Sequence, residues 1–123
     1  MKSIVGIAVV IMILAGNGFV CTDAGIDPGP LHPQWVDSLI TVYSAAPVGN
    51  PPQSIWQYHY TGATVYFIPA QCCDQYSDLY DLSGNLLGHP DGGIAGTGDG
   101  RCSDFFKTAT DPILIWRDTR SRN

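Results

Sequence analysis

The sequence contains no glutamate and few basic residues, and these absences exclude several kinds of protein. All eleven acidic residues are aspartates, and with only six lysines and arginines the formal net charge is −5. A domain that binds nucleic acid needs a basic patch to neutralise phosphates, so no nucleic-acid partner is expected. The chain also has no His-Glu-x-x-His, Gly-x-Ser-x-Gly or phosphate-loop motif. In so short a chain, these absences predict that the protein is not an enzyme.

Glycine and proline, by contrast, are abundant, and they favour turns over long helices. The 123 residues include 14 glycines and 9 prolines, and only 14% of all residues are charged. The use of aspartate instead of glutamate points the same way, because aspartate favours helix caps, turns and metal-binding loops. A chain of this length has room for one small domain.

The N-terminal segment has the pattern of an export signal. Lys2 supplies a positive charge, and residues 4–15 then contain no polar side chain. This run is shorter than the roughly 20 apolar residues that span a bilayer, and it matches the apolar region of a signal peptide. Residues 1–24 are therefore predicted to be a signal peptide with its cleavage region. The protein is expected to be exported, and to be periplasmic, attached to the outer membrane or secreted.

Two processing routes remain open from the sequence. Thr22-Asp23-Ala24 has small residues at the two positions that a signal peptidase reads, so cleavage after Ala24 is one route. Cys21 offers the other, because exported lipoproteins are cut just before a cysteine that then carries lipid. Attachment to a membrane is expected only through such a lipid on Cys21.

The four cysteines are expected to form disulfides, because an exported protein enters an oxidising compartment. Cys72 and Cys73 are adjacent, and adjacent cysteines rarely bond each other. One of them is therefore predicted to bridge to Cys102, closing a loop of about thirty residues and stabilising the fold by about 3–4 kcal/mol. The other has only Cys21 as a partner. Without a Cys-x-x-Cys pair, no structural zinc site is expected.

The mature chain is predicted to begin with a tether at residues 25–32 and an amphipathic helix at residues 33–44. A hairpin follows, with strands at residues 55–60 and 63–68 joined by Thr61-Gly62. The predicted register is given by three cross-strand pairs, and it gathers their side chains on one face of the hairpin. These pairs are Trp56 with Phe67, Tyr58 with Val65, and Tyr60 with Ala63.

A second hairpin is predicted where Asp81 begins a turn and Gly84 takes the left-handed position that closes it. Residues 113–116 form a short apolar run that is typical of a last strand. The predicted fold class is α+β: one short N-terminal helix packed on a small antiparallel sheet, with a disulfide-braced, glycine-rich loop. The domain is expected to span residues 33–116, and residues 117–123 are expected to form a frayed polar tail.

The glycine-rich loop at residues 89–104 is the segment that most suggests a site. Asp91, Asp99 and Asp104 supply hard oxygen ligands of the kind that calcium prefers, so calcium is the candidate cofactor and these three residues are the candidate ligands. The spacing does not match an EF-hand loop, the chain has no glutamate to bind calcium through both oxygens, and aspartate with glycine also serves turns without any metal. Turn chemistry without a cofactor is therefore the favoured interpretation.

A longer pattern covers most of the domain. The run CCDQYSDLYD at residues 72–81 is followed by HPDGG at residues 89–93 and by GDGRC at residues 98–102. With the rest of residues 35–105, this pattern resembles a family of small exported bacterial proteins classed as a domain of unknown function. Its members often look like lipoproteins, so the resemblance favours a lipid on Cys21. It implies a location and a fold, and it brings no activity.

The functional prediction is a non-catalytic binding or structural module of the cell envelope, with an envelope or extracellular partner that the sequence does not identify. Three alternatives are kept: a calcium-binding module, an inhibitor of secreted peptidases and, behind them, a small hydrolase. An inhibitor would present a rigid loop, for which residues 90–100 are the candidate. A hydrolase would need a pocket in which titratable groups converge.

Overall fold

The computed structural model of the protein describes residues 31–72 and 74–122. The predicted signal peptide, Cys21 and Cys73 lie outside the described residues. The predicted α+β architecture is confirmed as a small domain with a five-stranded antiparallel sheet and one helix of twelve residues. The elements are α1 (Gln34–Ala45), β1 (Ser54–Tyr60), β2 (Ala63–Ile68), β3 (Asp78–Asp81), β4 (Leu86–Gly88), α2 (Phe105–Thr108) and β5 (Thr110–Arg117).

The strands lie in the order β4-β3-β2-β1-β5, and each pairs antiparallel with its neighbour. The register predicted for the first hairpin is confirmed at all three pairs, from Trp56 opposite Phe67 to Tyr60 opposite Ala63. Thr61 and Gly62 both have positive φ values, 50° and 79°. A two-residue turn of this kind matches the twist of the strands, and it fixes which residues face each other.

The second hairpin is closed by the carboxylate of Asp81. Its Oδ1 atom accepts hydrogen bonds from the backbone amides of Ser83 (2.8 Å) and Asn85 (2.9 Å). Gly84 has the predicted left-handed conformation, with a φ of +85°. The roles predicted for Asp81 and Gly84 therefore agree with the structure.

Both faces of the sheet are covered, each by a different helix. On one face α1 packs over a cluster formed by Val36, Ile55, Tyr66 and Ile68. On the other face Phe105 of α2 is buried against Tyr60, Val65, Phe67 and Leu79. The sequence predicted α1, but α2 has only four residues and too little periodicity to be recognised.

The predicted bridge from Cys72 or Cys73 to Cys102 is wrong, because Cys102 carries a free thiol. The side chain of Cys102 instead packs against the apolar cluster around Phe105. A partly buried cysteine in such a place behaves as a small apolar residue. The glycine-rich loop is therefore not braced by a disulfide through Cys102.

The predicted frayed tail at residues 117–123 is wrong for its first part, because the chain is held to the domain up to Arg120. Asp118 is 4% exposed, and its backbone amide donates to the carbonyl of Gln53 (2.9 Å). Arg120 donates from Nη2 to the carbonyls of Tyr43 (3.0 Å) and Ala46 (2.9 Å), at the end of α1. These carbonyls have no partner within the helix, so the guanidinium satisfies them.

Candidate functional site

The glycine-rich loop is held together by Asp99, one of the three candidate ligands. Its Oδ1 atom accepts hydrogen bonds from the backbone amides of His89 (3.2 Å) and Arg101 (2.9 Å), and Oδ2 accepts from Nε of Arg101 (2.9 Å). Partial desolvation raises the pKa of Asp99, but these hydrogen bonds outweigh it and lower the pKa to about 2. This carboxylate is therefore used in the structure of the loop.

The low pKa of Asp99 predicts a dependence of stability on pH. An unfolded aspartate has a pKa of about 3.9, so the ionised carboxylate stabilises the folded chain above that pH. We expect this stabilisation to be lost as the pH falls from about 4 towards 2. Asp99→Asn should remove that part of the pH dependence in thermal unfolding. Asp74→Asn, which removes an exposed carboxyl, is the control, and equal slopes for all three proteins would contradict the prediction.

Asp104, at the end of the loop, holds the side chain of a strand residue. Its Oδ1 atom accepts a hydrogen bond of 2.6 Å from the hydroxyl of Tyr60. This hydrogen bond, together with burial, raises the pKa of Tyr60 above its ordinary value. Asp104 therefore links the end of the loop to the buried end of β1.

Asp91 differs from the other two aspartates. Its Oδ1 atom is buried and has no hydrogen-bond partner among the described residues. The three candidate ligands do not form one site: within residues 31–72 and 74–122, no group of three histidine, cysteine or acidic residues is placed to hold a metal ion. The calcium hypothesis thus loses the arrangement on which it depended, and Asp91 is left with a buried carboxylate oxygen that no described residue hydrogen-bonds.

Two adjacent clefts lie beside the loop. The larger one, the Asp91 cleft, has a volume of about 300 Å³ and is lined in part by Asp91, Gly92 and Gly96 of the loop. The smaller one, the Asp78 cleft, has a volume of about 210 Å³ and is lined in part by Tyr43 of α1 and Asp78 of β3. Both clefts share four lining residues from the segment between β2 and β3: Pro69, Ala70, Gln71 and Gln75.

A histidine–aspartate pair stands next to the smaller cleft. Nδ1 of His89 lies 2.9 Å from Oδ1 of Asp78 and 3.1 Å from the carbonyl oxygen of Ser77. Because both of these oxygens accept hydrogen bonds, Nδ1 is the ring nitrogen that carries a proton. The ring of Tyr76 stacks on the imidazole with 4.8 Å between centroids. His89 is therefore fixed by three contacts.

Two tyrosines near Asp78 remain protonated well above neutral pH. The hydroxyl of Tyr80 donates to Oδ2 of Asp78 (3.2 Å). Burial and the charge of Asp78 raise the pKa of Tyr80 to about 12. The same two causes raise the pKa of Tyr43. Tyr43, which lines the smaller cleft, therefore presents a neutral hydroxyl at ordinary pH.

The sequence singled out Asp91 but missed Asp78, Tyr43 and Gln75. A signal existed for Asp78, because alternation along a strand puts it on the same face as Tyr80, and this face is covered by α1. Tyr43 and Gln75 gave no such signal. They are distant in the chain, and only the packing of α1 and the path of residues 69–77 bring them to one cleft.

Comparison with protein families places most of the described chain in a known family. A family described as a domain of unknown function (DUF6970) matches residues 41–118, which include all five strands and the lining residues of both clefts. No curated protein and no solved structure matches the chain.

Proposed function

We propose that this chain, which belongs to the family of domains of unknown function DUF6970, is an exported, non-catalytic binding module of the cell envelope. The Asp91 cleft is its ligand site. The observation that carries the proposal is the buried Oδ1 atom of Asp91, which no donor of the described protein reaches. Buried polar atoms are almost always hydrogen-bonded, so this carboxylate is poorly compensated within the described protein. Because Asp91 also lines the cleft, a donor bound there would stabilise its charge.

Binding is favoured over catalysis by the surroundings of His89. An imidazole that donates to a carboxylate resembles two of the three members of a catalytic triad, and this is the observation that favours a small hydrolase. In the part of the chain that the structure describes, however, no hydroxyl group hydrogen-bonds to that imidazole. The hydroxyl of Ser77, next to Asp78 in the chain, instead accepts the amide hydrogen of Ala70 (2.9 Å). A nucleophile activated by His89 is therefore missing from the described residues.

The envelope location is supported by the sequence of the first residues and by the resemblance to exported proteins. Lys2 and the apolar run at residues 4–15 fit a signal peptide, and Cys21 fits a lipid anchor. Over residues 31–72 and 74–122, no helix is long and apolar enough to cross a membrane. On this proposal, the domain reaches its partner either in solution after cleavage or from a lipid on Cys21.

One experiment tests both export and binding. A photo-crosslinking residue replaces Gln75, which lines both clefts, in the full chain expressed in its native host. After irradiation of intact cells, the intact mass of the recovered protein reports its N-terminus, any lipid and any adduct. We expect a chain that begins after Ala24, or at a lipidated Cys21, and that carries an adduct.

The control places the same photo-crosslinking residue at Gln34, which is exposed at the start of α1 and lines neither cleft. This variant should be processed identically and should form no adduct. A cytoplasmic product that retains Met1 or Lys2 would disprove export. Equal adducts at both positions, or none at Gln75, would disprove binding in the cleft.

A further inference from the structure

We infer that the ligand of the Asp91 cleft is an organic cation, a primary ammonium or guanidinium group carried on a chain about as long as a lysine or arginine side chain. This inference rests on the proposed function and names the chemical class of the ligand. It follows from the charge of the cleft, from its size and from the number of carboxylates that line it.

The charge of the described lining is one-sided. Asp91 contributes a carboxylate, and no lysine, arginine or histidine of the described chain lines the cleft with it. The other polar side chains at the wall are neutral, including the amides of Gln71 and Gln75 and the hydroxyl of Ser77. An anionic ligand would face uncompensated repulsion here, whereas a cation gains both a charge partner and hydrogen-bond acceptors.

The charge of Asp91 is poorly compensated within the domain. One carboxylate oxygen is shut away from solvent without a donor, so water stabilises the ion less than it would at an open surface. The carboxylates of Asp99 and Asp104, in contrast, each accept hydrogen bonds from the protein. Among the three aspartates of the loop, Asp91 is the one that gains most from an external cation.

The neighbouring Asp78 cleft is also lined by a carboxylate and by no lysine or arginine of the described chain. Asp78 lines it, and the wall between the two clefts consists of Pro69, Ala70, Gln71 and Gln75. His89, whose Nδ1 atom lies 2.9 Å from Oδ1 of Asp78, is charged only when its imidazole is protonated. A ligand that extends from the Asp91 cleft therefore meets a second carboxylate and no permanently charged lysine or arginine in the described lining.

An organic cation fits better than a metal ion. Calcium takes six to eight oxygen ligands, mostly carboxylates and carbonyls, whereas among the described residues only Asp91 lines the Asp91 cleft with a carboxylate. A volume of about 300 Å³ lies at the lower end of the range of cavities that hold small organic ligands. An ammonium or guanidinium group needs only one carboxylate and a few carbonyl or amide oxygens.

The test compares ligands that differ only in charge. Mature protein recovered from the envelope is titrated with N-acetyl-arginine amide, and with N-acetyl-citrulline amide as a neutral analogue of the same shape. The positions of the shifted backbone NMR signals identify the binding site. A parallel titration with n-butylammonium, a free amine without a peptide backbone, shows whether the ammonium group alone is enough for binding. We expect saturable shifts at Asp91, Gly92 and Gly96 with the cations and none with citrulline.

Asp91→Asn is expected to weaken binding of the arginine derivative about tenfold or more, because a charged hydrogen-bond partner is lost. Asp74→Asn removes a carboxyl of the same charge outside both clefts and should leave the affinity unchanged. A second variant, Gln75→Lys, places an ammonium in the cleft from within the chain and should also abolish binding. Its control is Gln34→Lys.

Three results would overturn the inference: citrulline amide binding as tightly as arginine amide, Asp91→Asn binding unchanged, or calcium chloride producing the same shifts at lower concentration. Absence of any shift at tens of millimolar cation would overturn it as well. In that case an adduct at Gln75 in cells would leave the binding function standing. Absence of both the shift and the adduct would disprove the function together with the ligand class.

Discussion

Replacing Phe105 with alanine is expected to lower the free energy of unfolding by about 3–5 kcal/mol, the usual cost of removing a buried phenylalanine ring. The side chain is 0% exposed, and its ring lies 5.1, 5.4 and 5.4 Å, between centroids, from Tyr58, Tyr60 and Phe67. It is the residue through which the four-residue α2 covers its face of the sheet. Removing it leaves a cavity that three aromatic rings of two strands cannot close.

The neighbouring Phe106 provides a matched control for that prediction. It has the same side chain on the same helix, but it is 55% exposed. Phe106→Ala is expected to cost about 1 kcal/mol or less. Urea unfolding of the two variants measures the difference, and the dependence of the free energy on urea should stay unchanged. Equal losses of stability for both would show that α2 does not form the cover of this face.

The first hairpin shows how much of the fold the sequence specifies. A two-residue turn and two strands rich in aromatic and β-branched residues allow one register that places the side chains consistently, and the structure has this register. The second hairpin is also specified by local residues, Asp81 and Gly84, which form its turn. Where a turn and its strands lie within about fifteen residues, local chemistry therefore decides the structure.

The misassigned elements depend on contacts between distant segments. Phe105 becomes a core residue only because α2 crosses the sheet, and Arg120 becomes part of the domain only because α1 ends beside it. Cys102 was predicted to form a disulfide because of its spacing and compartment, but its side chain packs among apolar residues instead. None of these contacts is encoded in a local pattern.

The sequence indicated the loop beside the candidate cleft, but it did not indicate which residues line that cleft. The sequence directed attention to Asp91, Asp99 and Asp104 as equivalent carboxylates, because residue type and spacing do not distinguish them. In the structure Asp99 closes the loop and Asp104 holds Tyr60, so both carboxylates accept hydrogen bonds from the protein. The opposite wall of the cleft comes from residues 69–75, and no periodicity connected that segment to the loop.

The shape of the loop depends on glycines at two kinds of position. Gly98 and Gly100 both have positive φ values, 72° and 83°, in the left-handed region that costs other residues about 1–2 kcal/mol. Only Gly98 is also crowded. A Cβ atom at Gly98 would overlap the carbonyl oxygen of His89 and lie 2.9 Å from the carbonyl carbon of Pro90, whereas Gly100 has open space around it. Substituting each glycine with alanine therefore distinguishes the cost of backbone strain, present at both positions, from the cost of steric overlap, present only at Gly98.

Gly98→Ala is accordingly expected to cost about 2–5 kcal/mol, the sum of the left-handed backbone and an overpacking penalty of about 1–3 kcal/mol. Overlap with His89 should also break the hydrogen bond from the Asp99 amide to the His89 carbonyl (3.1 Å), and so open the loop that lines the Asp91 cleft. Gly100→Ala should cost only about 1–2 kcal/mol and leave the loop closed. Denaturant unfolding measures the two costs, and amide hydrogen exchange at Asp99 reports the opening. Equal costs for the two variants, or a protected Asp99 amide in Gly98→Ala, would mean that close approach of the backbone at Gly98 does not hold the loop against the cleft.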